Sequence, residues 1–436
     1  MITGRVVLLC VAGAVVSAVL PWHAAVAWTW LGLLALAGVV DWILAGAAGK
    51  VTFRRRGATH TRLGESVVVT LVATNTGRRT VRARIRDAWV PSAGASPYVH
   101  EAVLKPGATE ALDTTLTPSR RGDRPAVAVT VRSTGPLGLA YRQTRRRAIR
   151  RLTPAWTVRT LPPFASRRFL PEKLSRLRRL DGSLAVRARG QGTEFDALRE
   201  YVDGDDVRSI DWRATARRSE VVVRTWRPER DRRLVLVVDT GRTSAARVGD
   251  IPRLDAAMDA CLLLAAVAAK AGDRVELFAA DVDLRTSVRG AGHASVVASI
   301  GEALAPVEPR LVESDFELVV SEILLRARKR CLVVLFTAIE PAPLAEGLLP
   351  VLGRLTDRHT VVLASVGDPE AAAMGTQRGN AEAVYEAAAA ARGDAERRRI
   401  VSAMRSRGVE VVDAPADVFA STVTDTYLAM KAAGRL

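Results

Sequence analysis

At 436 residues, with 48% hydrophobic and 25% charged residues, the chain exceeds one small core and is too ordinary in composition to be fibrous or disordered; two or three folded units are expected, at roughly 100–200 residues each. The formal net charge of +18 suggests a nucleic-acid partner, yet residues 50–178 hold 27 Lys+Arg against 7 Asp+Glu, residues 179–436 hold 36 against 38, and Arg5 and Asp41 cancel. The excess lies in one block beside an apolar N-terminus and lacks the interleaved aromatics that stack bases. It therefore suits an anionic lipid surface, where each basic residue gains about 1 kcal/mol, and no nucleic-acid partner is expected.

Residues 1–49 read as two transmembrane helices. Before Lys50 the charges are Arg5 and Asp41, and Pro21, Trp22 and His23 divide the apolar stretch into Val6–Leu20 and Ala24–Ala48. The second run has the length needed to cross about 30 Å of hydrocarbon; the first is shorter. An alternative makes residues 1–27 a cleaved signal peptide, with Ala25-Val26-Ala27 as the small-residue site. Under either reading Lys50, Arg54, Arg55 and Arg56 follow the second run and place the rest of the chain in the cytoplasm. A carboxylate in a span is costly, so Asp41 is expected to be buried near the interface or in a helix pair.

Residues 50–159 alternate in short runs, Ser66–Thr74, Thr80–Val90, Thr109–Thr117 and Ala126–Arg132, broken at Asn75-Thr76-Gly77 and Lys105-Pro106-Gly107. This spacing predicts an all-β sandwich. Residues 160–233 form a connector and a motif segment. The connector, through residue 192, is Pro- and Arg-rich and reads as a partly ordered linker with a short helix. In the motif, Phe195, Leu198 and Val202 share one face of a predicted helix, and the acidic turn Asp203-Gly204-Asp205-Asp206 is placed to cap the next one. Arg199, Arg208, Arg213 and Arg217 lie among Glu194, Glu200, Asp205, Asp206 and Asp211, a composition that permits bidentate ion pairs.

Residues 234–436 alternate strands and helices. Leu234–Val238, Arg274–Ala280, Cys331–Phe336, Thr360–Val366 and Val409–Val412 are strand-like; Leu254–Lys270, Phe316–Arg328, Leu344–Leu355, Ala381–Arg407 and Val418–Lys431 are helical in length and spacing. The pattern predicts an α/β open parallel sheet, with binding beyond the carboxyl ends of the strands, after Val238 and Phe336. Cys10, Cys261 and Cys331 have no metal or redox spacing, so buried thiols in a reducing compartment are expected. No Ser/His or Cys/His pair and no phosphate loop is visible.

The segment containing Gly192, Glu194, Phe195, Leu198, Arg199, Tyr201, Gly204, Asp205, Asp206, Arg208, Ile210, Asp211, Trp212, Ala216 and Arg217 resembles the hallmark run of the bacterial domain-of-unknown-function family 58. The wider order, two spans, sandwich, motif and α/β domain, is similar to that family too. The resemblance implies a von Willebrand factor A-like domain, no established enzymatic activity, and a MoxR-type AAA+ ATPase as partner in chaperone-like assembly or in envelope and stress functions. A metal-ion-dependent adhesion site in such a domain uses Asp-x-Ser-x-Ser, a later threonine and a further aspartate, and holds Mg²⁺ or a similar ion. Here Asp239 and Thr243 match, Gly241 and Arg242 do not, and Thr337-Ala338-Ile339-Glu340 lacks an acid at 338. No cofactor is therefore expected, with Mg²⁺ as the ion if the degenerate site is filled.

The leading expectation is a non-enzymatic, membrane-anchored interaction or adaptor protein in the cell membrane. The alternative is a metal-dependent binding or hydrolytic protein using Asp239 or the motif carboxylates.

Overall fold

A computed structural model describes the chain except residues 1–2, 21, 188–193, 218–219, 228–231, 291 and 376–378, and except the side chains of 181–187, 194–197, 225–227 and 371–372. Gly192 lies outside the described residues, as do the side chains of Glu194 and Phe195. The chain divides into two compact units, Met1–Leu161 and Pro162–Leu436.

The first unit opens with two apolar helices, α1 (Gly4–Val19) and α2 (His23–Leu44). At 1.5 Å per residue they reach about 24 and 33 Å, against roughly 30 Å of hydrocarbon. Among the described residues, the helical stretch from His23 to Lys50 is the one long and apolar enough to cross a membrane. The helices pack where Trp30 donates to the carbonyl of Leu9 at 3.0 Å. A Cβ on Gly13 would come within 2.2 Å of the Trp30 ring, so only glycine permits this approach.

Asp41 is fully buried, and protein surrounds it. Its carboxylate accepts the backbone N–H groups of Leu137 (2.7 Å), Leu139 (2.7 Å) and Ala140 (2.8 Å). An acid that would be costly in hydrocarbon thus satisfies a loop that would otherwise hold three unpaired donors. Arg142 braces the same place, donating to Trp42 O at 3.0 Å and lying 4.2 Å over its ring.

Ten strands follow: β1 (Val51–Gly57), β2 (His60–Arg62), β3 (Val67–Asn75), β4 (Val81–Trp89), β5 (Ala95–Ser96), β6 (Val99–Leu104), β7 (Thr109–Leu116), β8 (Gly122–Thr134), β9 (Tyr141–Gln143) and β10 (Thr157–Leu161), with the short helix α3 (Arg146–Leu152) before the last. They form sheets ordered β1-β3-β7-β5 and β2-β10-β8-β4-β6, with β9 beside β8. Period-two alternation builds the core. In β4, Val81, Ala83 and Ile85 point inward, and Arg82, Arg84 and Arg86 point to solvent. The basic excess therefore lies largely on an outer face, with Arg55 as an exception. Arg55 is buried, pairs with Asp87 at 2.5 Å and stacks 4.8 Å over Trp89.

The second unit begins inside the expected linker. The helix there is α4 (Leu170–Arg187), 18 residues long rather than short. It packs on its unit: Leu177 joins the core, and buried Lys173 reaches Asp425 at 2.8 Å. Next come β11 (Glu194–Glu200), the single-turn helix α5 (Trp212–Thr215) and β12 (Val222–Arg227). The central sheet is built from β13 (Arg233–Asp239), β16 (Arg274–Ala280), β17 (Leu284–Val288), β18 (Leu332–Phe336), β19 (Thr360–Gly367) and β20 (Glu410–Pro415), with a small hairpin of β14 (Arg247–Val248) and β15 (Ile251–Pro252) between β13 and β16.

The sheet order is β17-β16-β13-β18-β19-β20. Five strands are parallel and β17 runs antiparallel to β16, so the sheet is mixed rather than wholly parallel. The cause is local: a tight turn at 281–283 leaves no room for the crossover that a parallel neighbour needs. Both faces are covered. Leu234, Leu236 and Val238 pack against α6 (Arg253–Lys270) and the helix Ala416–Ala432; Val235 and Val237 pack towards α8 (Phe316–Arg326), with Leu344–Leu355 on that face. A further helix, α7 (Val296–Leu304), joins the first face. The order reverses between β13 and β18, which places a crevice beyond Asp239 and Phe336.

Candidate functional site

The crevice is organised by Asp239, the last residue of β13 and buried at 3% exposure. One carboxylate oxygen accepts the N–H of Gly241 at 2.8 Å and the Ser314 hydroxyl; the other accepts the hydroxyls of Thr337 (2.6 Å) and Thr243 (3.3 Å). Ser314 comes from the loop between α7 and α8, and Thr337 directly follows β18. A Cβ on Gly241 would fall 2.2 Å from the Ser314 Oγ, so Ser314 fills the space that a side chain at 241 would take.

This donor set does not fit a divalent cation. It offers one carboxylate, already accepting four hydrogen bonds, where such ions favour more anionic oxygen. Position 338 is a buried alanine, and Glu340 turns away to Arg253 at 3.2 Å. Arg253 also donates to Thr243 O at 3.1 Å, which brings a cation to the rim. Among the described residues no group of three or more His, Cys, Asp or Glu is arranged to hold a metal.

A second carboxylate at this edge, Asp281, directly follows β16, beside Asp239 at the end of β13. It is fully buried, accepts from Thr240 at 2.9 Å and pairs with Arg285 (2.8 Å) and Arg310 (3.5 Å). Burial alone raises its pKa; the hydrogen bonds from Arg285, Thr240 and the Asp283 N–H, with the charge of Arg285, together outweigh this and hold it below the usual carboxylate range. Both acids are orienting groups locked by partners.

The motif segment differs from its expected form. Residues 194–200 are a strand, paired antiparallel with β12 through a register shift between Phe195 and Ala197, so no helix carries Phe195, Leu198 and Val202. The turn behaves more nearly as expected. Asp206 caps the 3-10 turn Val207–Ser209 by accepting from Arg208 N at 2.9 Å, and Asp211 caps α5 by accepting from Arg213 N and Ala214 N at 3.0 Å. Gly204 takes a φ of +106°, open to glycine and strained for other residues. Of the expected ion pairs, Arg199 forks onto Asp205 (2.7 and 2.5 Å), and Asp211 is met by Arg224 (2.7 Å), a partner from β12. These hydrogen bonds, first from the guanidinium groups and then from backbone N–H groups, lower the pKa of Asp205 and Asp211. Tyr201 and Ile210 are half-buried, Ile210 bridging to Val223, and Ala216 ends α5; Arg208, Arg213 and Arg217 are exposed. The segment also exposes Trp212 (65%), Val202 (61%) and Val207 (59%).

One pair was invisible in the sequence. The Sγ of Cys331 and Nδ1 of His359 lie 3.4 Å apart, 28 residues distant in the chain. Both are buried. Burial pushes the thiol up to about 12, and burial with Arg358 and Arg330 pushes the imidazole down, so both stay neutral. A thiolate nucleophile needs the opposite shifts.

Taken together, the chain combines an all-β unit with an apolar N-terminal helix and a doubly wound α/β unit whose switch point carries one saturated aspartate. Residues 197–399 match the family described as "Protein of unknown function DUF58", from the motif strand through most of the α/β unit. No curated protein matches the chain. Among solved structures, similarity is found to native alpha-2-macroglobulin from Escherichia coli, at 15% identity and a TM-score of 0.21 over 26% of this chain and 17% of that one. The PKD domain of an M14-like peptidase from a Thermoplasmatales archaeon gives 13% identity and 0.15 over 23% of this chain and 93% of that one. Beta-glucosidase from Kluyveromyces marxianus gives 13% and 0.10 over 26% and 15%. The chain thus spans under a fifth of the length of the macroglobulin fragment.

Proposed function

We propose that this protein is a membrane-anchored, non-enzymatic interaction protein that docks a MoxR-type AAA+ ATPase on the cytoplasmic side. The observation that carries the reading is the exposed trio Trp212, Val202 and Val207 on a family-matched segment that two internal ion pairs hold in shape. Arg199–Asp205 and Asp211–Arg224 hold the turn, leaving an aromatic and two aliphatic side chains in water, the composition of a protein-binding anchor. The saturated Asp239 supports a von Willebrand factor A-like domain that keeps the topology of an adhesion site without its ion chemistry. The helix through Lys50, followed by Arg54 and Arg56, supports the anchor and its orientation, with α1 as the second span.

A photo-crosslinking amino acid tests this in cells that carry the ATPase. Placed at Trp212, it is expected to capture the ATPase; placed at exposed Val103 of the sandwich, it is not. Equal capture from both positions, or from neither, removes the motif segment from the interface.

A further inference from the structure

The amino ends of the parallel strands, opposite the Asp239 crevice, carry a feature that the proposed function does not use. A cavity of about 670 Å³ opens there, lined by Arg232 and Arg233 at the start of β13, Arg274 at the start of β16, Arg326 at the end of α8, the loop Arg328-Lys329-Arg330, Cys331 and Leu436. Seven of nine lining residues are basic and none is acidic.

Part of this charge is accounted for. Glu276 takes Arg233 at 3.0 Å, Glu322 takes Arg326 at 2.9 Å, and Arg274 and Lys329 hold other interactions. The carboxyl end of α8 offsets roughly half a unit charge. Arg232, Arg328 and Arg330 remain without a carboxylate among the described residues.

Arg326 is the fixed element of the site. Its side chain is 1% exposed, lies 4.5 Å over the Phe278 ring, and is forked onto Glu322 through Nε and Nη2. Arg233 donates to its carbonyl at 2.7 Å. Its Nη1 is buried and has no acceptor among the described residues. Arg326 therefore holds a fixed, incompletely paired positive charge against the cavity wall, where it adds to the field that an anion would meet.

We infer that this cavity binds a compact anion carrying several phosphate groups. Six of the seven cations are arginine, whose planar fork matches phosphate oxygens. The volume falls within the roughly 300–1,000 Å³ of small-molecule sites. No aromatic side chain lines it, so nothing stacks a nucleobase, and the recognition is for the phosphates themselves.

Calorimetric titration of inorganic tripolyphosphate into the full chain, held in phosphatidylcholine nanodiscs, tests the assignment. One saturable site is expected, weakening steeply with added salt. The Arg328→Glu/Arg330→Glu variant changes two exposed side chains, leaves the fold intact, and is expected to bind at least about ten-fold more weakly. Unsaturable heat, or binding unchanged in the variant, overturns the proposal. Displacement of tripolyphosphate by phosphatidylglycerol vesicles would assign the site to lipid headgroups and overturn the soluble ligand.

Discussion

At the scale of single residues, the crevice is held by hydrogen bonds that converge on one carboxylate. Removing it in Asp239→Ala leaves three hydroxyls and the Gly241 N–H without their acceptor. A loss of about 2–4 kcal/mol is expected in the urea unfolding of the α/β unit, as befits hydrogen bonds to a buried charge. Asp239 and Thr243 were legible because they directly follow an apolar strand in a known spacing. Ser314 was not, because it arrives from a loop 75 residues away, and hydroxyl side chains in loops carry no sequence pattern. The buried histidines add a pH dependence. Burial lowers the pKa of His359, aided by Arg358 and Arg330, and lowers that of His100 against the pull of Asp87 and Asp113. Unfolded histidine takes a proton near pH 6.5. The unfolded chain therefore binds more protons below that pH, and stability falls as pH drops from about 6.5 through the folded values. The His100→Gln/His359→Gln double variant is expected to flatten this limb in pH-dependent thermal melts.

At the scale of elements, the motif shows how a strand came to resemble a helix. Phe195, Leu198 and Val202 are spaced at three and four residues, which fits a helical face. The register shift between Phe195 and Ala197 breaks the alternation that would have marked a strand, and the pairing strand lies beyond Val221. The caps were easier to read, since Asp206 and Asp211 act through their own neighbours. Asp211→Ala removes the α5 cap and the Arg224 contact together, and limited proteolysis is expected to cut faster between residues 200 and 222. At Asp41 the charge was readable and its partner was not, because the loop that it caps lies 96 to 99 residues downstream. Asp41→Ala is expected to raise amide hydrogen exchange at Leu137, Leu139 and Ala140 by one to two orders of magnitude, as about 2–3 kcal/mol of local stability is lost. Unchanged protection there would mean that the loop stands without the carboxylate.

At the scale of the whole molecule, strand and helix alternation after Leu234 gave the class of the second unit, and period-two alternation gave the first. The edge strand β17 has no apolar run and lies mostly towards solvent, so nothing in the sequence marks it as a strand. The orientation is open to direct assay. A cytoplasm-active reporter fused after Leu436 is expected to be active, and a periplasm-active one silent.

The most direct measurement is the affinity of the purified chain, in nanodiscs, for a MoxR-type ATPase, the proposed partner. Saturable binding is predicted to weaken at least about ten-fold in the Trp212→Ser/Val207→Ser variant, as loss of an interface anchor implies, with the melting temperature unchanged. Binding of equal strength in the variant, or no binding by the native chain, would contradict the account.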